Sequence, residues 1–163
     1  MEIISEALVK ETWEEVAGFS PLRGQNEMSK LGQKQPELLS FLVEFTKDSD
    51  QDVQELAIYM FFVVHRIFEK SSGKKIRKIS ADEIIECFES NEKLVEKLEG
   101  THEKFLERIT KTQILTQPYV MKYVVDTLME APEEEDPIHL TEEDTGCLFL
   151  LLKTVIDLLD RTC

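Results

Sequence analysis

Glycine and proline are scarce in this sequence, with 6 and 5 among 163 residues. Tight turns have few places to form, so elements should be long and connections few. Strand-type alternation of apolar and polar residues is absent, which excludes a sheet protein. No apolar run reaches the roughly 20 residues that a bilayer span requires, so no membrane partner is expected. Cysteine is sparse as well. Cys87, Cys147 and Cys163 form no C-x-x-C pair and are odd in number, and zinc-site spacing is missing. The chain opens MEIISEALVKETWEE, with no basic-then-apolar leader. These absences predict unpaired thiols in a reducing, cytoplasmic setting. Cys147, inside an apolar run, reads as a small core residue.

Positive charge is the other deficit. Lys and Arg number 19 against 33 Asp and Glu, for a net charge of −14. Residues 1–80 hold 11 cationic and 13 anionic side chains, whereas residues 81–163 hold 8 and 20. An acidic half of this kind repels phosphate backbones, so nucleic acid is excluded as a general partner. Its ordinary role is to keep helix surfaces soluble. Hydrophobic residues at 42% and charged ones at 32% fit a folded helical chain rather than a disordered one. The length suits a single domain, residues 1–163, with one core.

What the chain does possess is the run Leu56–Phe68, LAIYMFFVVHRIF. Val53, Leu56, Ala57, Met60, Phe61, Val64 and Phe68 follow the spacing of one helix face, and Ile58, Phe62 and Ile67 fill the other side. A helix apolar all round lies in a core. Residues 51–70 therefore form a hub, and 142–161, with Leu148, Leu151, Leu152, Val155, Ile156, Leu158 and Leu159, form a second. Around them the pattern predicts helices over 2–18, 36–47, 81–99, 101–114 and 118–130. Ile3, Ile4, Ala7, Leu8, Trp13 and Val16 of the first are assigned to the core. Pro36 and Pro118 suit first helical positions, and Ser80 with Glu83 is a capping box. Ser49 or Asp50 is placed to cap the hub. Residues 20–35 read as a loop with one short helical piece near 25–31, and 131–140 as a loop. The fold class is all-α, a bundle of six or seven helices.

Two stretches begin alike, at Gln35–Pro36 and Gln117–Pro118, an offset of 82. The helices after them align at an offset of 91, with Met60 on Leu151, Phe61 on Leu152 and Val64 on Val155. The first helices match weakly, Ile3 and Ile4 against Ile84 and Ile85, and Trp13 against Leu94. This suggests a duplicated three-helix unit with halves 1–79 and 80–163. The competing explanation is that any two amphipathic helices share a period.

Chemistry is thinly represented. His65 lies inside the hub, where Glu69 at i+4 and Tyr59 are expected partners. Glu99 and His102 have the Glu-x-x-His spacing of di-iron bundles, but only once and across Gly100. His139 lies in a proline-flanked acidic loop without fixed geometry. No metal, cofactor or catalytic residue is assigned. Lys74, Lys75, Arg77 and Lys78 form a basic stretch in an acidic chain. They suit an acidic partner, and also suit the negative end of the preceding helix. Two functions follow. One is a non-catalytic interaction or regulatory protein that binds another protein or a second copy. The other is a helical small-molecule binder or enzyme with a pocket between the halves, near Tyr59, His65 and Arg66.

Overall fold

The computed structural model describes residues 2–99, 116–129 and 140–163, and the protein is all-α. Seven helices stand among the described residues: α1 Glu6–Ala17, α2 Pro21–Lys34, α3 Pro36–Phe45, α4 Gln51–Ser72, α5 Ala81–Glu99, α6 Pro118–Met129 and α7 Glu142–Thr162. None of them is long and apolar enough to cross a membrane. The helix expected over 101–114, the loop up to Ile138 and His139, and the Glu99–His102 pair lie outside the described residues or side chains.

The two hub helices α4 and α7 pack on each other at the centre. Phe61, Val63, Val64, Ile67 and Phe68 of α4 are fully buried, and every residue of α7 from Leu148 to Leu159 is buried. Burying a side chain of this size stabilises by about 1.5–3 kcal/mol, so the two hubs together supply much of the core's stabilisation. Around it, α1 packs on α4 and α6, α5 packs on α7 and α3, α3 on α4, and α6 on α7. Phe88 of α5 meets Phe41 and Phe45 of α3, each pair edge-on with ring centroids 5.3 Å apart.

Local sequence explains most helix ends. Ser80 accepts the Glu83 amide while Glu83 accepts the Ser80 amide, so the predicted box forms. Thr141 and Asp144 make a second reciprocal box at the start of α7. Asp50 stands at the N-cap of α4, but its side chain makes no capping bond. Gly73 ends α4 at φ +62°, a backbone that a residue lacking Cβ adopts without strain.

Four expectations are corrected. The stretch 20–35 is a full helix, α2: Ser20 caps it through the Arg23 amide and Pro21 occupies the first turn. The first helix begins at Glu6, with Ser5 as its cap, so residues 2–4 are not helical. Within it Val9, Thr12 and Val16 are buried, whereas Trp13 is 39% exposed, and Ile3 before it is 62% exposed. Cys147 is exposed near the start of α7, and Cys87 is the buried thiol. Finally, the match of Ile3 and Ile4 to Ile84 and Ile85 pairs exposed residues with buried ones, because Ile4 and Ile84 are inside while Ile3 and Ile85 are outside.

Candidate functional site

The basic stretch emerges where α4 ends. The Gly73 amide donates to the Glu69 carbonyl. Ser72 Oγ accepts the Lys74 amide and donates to the Lys74 carbonyl, closing a local turn. Beyond the turn the chain is pinned at two apolar points, Ile76 and Ile79, both buried. It is also held by a buried glutamine: Gln35 donates to the Arg77 carbonyl at 2.8 Å and accepts the Ile79 amide at 3.0 Å. The backbone is therefore fixed while Lys74, Lys75, Arg77 and Lys78 all face outward.

Arg77 is occupied. Its guanidinium pairs with both oxygens of Glu83, at 2.7 and 3.0 Å. That pairing, with the Ser80 amide, holds the Glu83 carboxyl at about 2, well below its ordinary range. Lys74, Lys75 and Lys78 have no anionic partner within 4 Å among the described residues, whereas most other described cations do. Beside Lys74 and Lys75 runs an open groove of about 710 Å³. Its lining includes apolar Ile4, Leu8 and Ile76 together with Lys70, Lys74 and Lys75. On this fixed backbone, Lys74 and Lys75 at the groove and Lys78 beyond it can engage carboxylates of a partner surface.

The other residues singled out from sequence are not brought to this place. His65 is buried, and its Nδ1–H donates to Glu69 Oε1 at 3.1 Å, as the i+4 spacing predicts. Its Nε2 is buried with no hydrogen-bond partner among the described residues. Burial alone would raise the Glu69 carboxyl, but hydrogen bonds from His65 and Lys34 outweigh it and hold the group at about 2. Arg66 turns instead toward α1 and α2, where it bonds Glu15 through Nε at 3.1 Å, pairs with Glu27 and lies over the Phe19 ring. Lys70 also binds Glu15, and this contact is the main reason that carboxyl is held low. Tyr59 is 39% exposed, and its phenol is pushed up by partial burial. Tyr59, His65 and Arg66 thus have separate surroundings.

A polar cluster escaped the sequence reading altogether. Between α5 and α7, Lys153 donates to Asp157 at 2.7 Å and to Asn91 at 2.9 Å. Asn91 donates to Thr154 and Asp157, and Thr116 donates to the second oxygen of Asp157. The Cys87 thiol beside it is pushed up, first by burial and then by Asp157. The one signal available was a lysine and an aspartate four apart inside the run Leu148–Leu159, which is otherwise apolar apart from Thr154. All the described hydrogen bonds of this cluster are internal, which suits a structural lock rather than a vacant site. Among the described residues no group of three or more His, Cys, Asp or Glu side chains is arranged to hold a metal ion. No protein-family model, curated protein or solved structure matches this chain.

Proposed function

We propose that this protein is a non-catalytic interaction or regulatory protein that binds an acidic protein surface through Lys74, Lys75 and Lys78. The observation that carries the reading is a backbone held at Arg77 and Ile79, bearing three lysines with no anionic partner among the described residues, in a chain whose net charge is −14. Cations at the end of α4 also favour its dipole. That role is met within the last turn, where Lys70 already stands, and does not call for Lys78 six residues beyond. A second copy could supply the acidic surface from its own residues 81–163, which hold 20 of the 33 carboxylates.

The test is the triple variant K74S/K75S/K78S, which leaves Arg77 in its pair with Glu83. The partner is whatever protein co-purifies with the tagged wild-type chain from its native cell. Binding should weaken in the variant, and the wild-type affinity should fall with added salt. An unchanged affinity in a folded variant would overturn the reading.

The alternative, a small-molecule binder or enzyme with a pocket between the halves, has one observation in its favour, the buried His65 Nε2, which has no partner among the described residues. A ligand reaching that atom should be lost in His65→Phe while Lys34–Glu69 pairing persists. A small molecule released from the purified wild-type protein, and absent from the variant, would favour it.

A further inference from the structure

We infer that the contact between the two halves of this chain is one interface used twice, formed by two copies of a single three-helix unit (α1, α3, α4 and α5, α6, α7). The inference is independent of the basic stretch. Its strongest support is a pair of long-range clasps. Gln35, just before α3, holds Arg77 O and Ile79 N. Gln117, just before α6, holds Glu2 O and Ile4 N, at 3.0 and 2.9 Å. Each buried glutamine thus grips the tripeptide that leads into the first helix of the other unit, using the same two atoms on the same two backbone groups. A shared helical period does not generate that.

The clasps set the register. Ile4 corresponds to Ile79, an offset of 75, and the rest of α1 follows. Ser5 and Ser80 each cap their helix by accepting the amide three residues on. Buried Val9, Thr12 and Val16 fall on buried Ile84, Cys87 and Asn91. At the offset of 82, buried Leu38, Leu42 and Thr46 fall on buried Val120, Val124 and Leu128. At 91, Met60, Phe61, Val64, Ile67 and Phe68 fall on Leu151, Leu152, Val155, Leu158 and Leu159, all buried.

The packing obeys the same exchange. Each first helix lies on its own hub and on the second helix of the other unit: α1 on α4 and α6, α5 on α7 and α3. The hubs meet each other. That reciprocity is what a two-fold interface requires, since the patch on one side must be the patch on the other. The partner this surface fits is therefore another copy of the same unit, here supplied by the same chain. The units also differ: Lys153, Thr154 and Asn91 stand where the first unit has Phe62, Val63 and Val16, so the buried polar cluster belongs to the second copy alone.

The connection between units, residues 73–78, spans Ser72 to Ile79. In the second unit the equivalent positions are Cys163 and Ile4, which line one groove together. A circular permutant tests the equivalence: it begins at Lys74, runs to Cys163, continues through a copy of Gly73–Lys78 in place of residues 1–3, and ends at Gly73. It should fold as a monomer with native helicity, melt within a few degrees of the wild type, and protect the Ile4 and Ile79 amides alike from hydrogen exchange. A permutant that is unfolded, or that protects only one of the two amides, would overturn the inference. In the unpermuted chain, Gln35→Ala and Gln117→Ala should lower protection at Ile79 and Ile4 respectively, each by roughly ten- to a hundredfold. Two factors differing by more than tenfold would count equally against it.

Discussion

Lys153 and Asp157 are both buried, and their charged groups meet at 2.7 Å. Removing two charges from water costs more than their attraction returns unless further hydrogen bonds help. Asn91 and Thr116 supply those bonds here. Asp157→Ala should therefore cost about 3–5 kcal/mol by stranding the ammonium, while the triple change K153M/D157L/N91L, which also removes the buried amide, should cost clearly less. Urea unfolding of both variants checks this, and a mild single variant would remove the cluster's structural role. Glu69 gives a pH signature. Its carboxyl is held at about 2 against an ordinary value near 4.5. The fold therefore gains from its ionisation above about pH 4.5 and loses that gain as pH falls toward 2. Thermal melts across that window should fall less steeply for Glu69→Gln than for the wild type.

Helices differed in how legible they were, and the reasons are physical. α4, α5, α6 and α7 carry unbroken apolar periodicity, so their existence and approximate bounds follow from the sequence. α2 does not: it is polar, holds Gly24 and Gly32, and buries only Leu31 below the surface. Its helicity rests on its cap and first-turn proline, with tertiary contact to α3. In α1 the helix was legible and its inward face was not. Moving the start from residue 2 to Glu6 does not rotate a helix, but residue type alone had drawn Trp13 inward. The clasp on residues 2–4 instead directs Val9, Thr12 and Val16 to α4 and α6. The basic stretch was visible as composition, whereas the glutamine that fixes it bonds residues more than 40 positions away. At this scale, Gly73→Ala should destabilise by about 1 kcal/mol through its left-handed backbone alone, since no atom would meet the added Cβ within 4 Å. Phe61→Ala in α4 should cost about 3–5 kcal/mol. Differential scanning calorimetry would rank the two, and a reversal would mean that the hub is not the centre of stability.

For the molecule as a whole, the surface is acidic and the interior is two mutually covered hubs. The exposed large apolar residues Ile3, Trp13, Leu22, Val43, Tyr59, Ile85, Tyr119 and Met129 are spread over the N-terminal segment and helices α1 to α6. A partner docking on the lysines would accordingly be steered by charge, with association more salt-sensitive than dissociation. Stopped-flow rates at two ionic strengths would check that ordering.

Gly73 to Lys78 lies wholly outside the hub contact, and only its Ile76 is tucked in. A protease nick there would cut one covalent thread and leave the hub packing and both glutamine bridges in place. The severed pieces, 1–73 and 74–163, should elute together and be inert apart, so that two separately expressed fragments could report, by regaining structure, that they have met in the same cell.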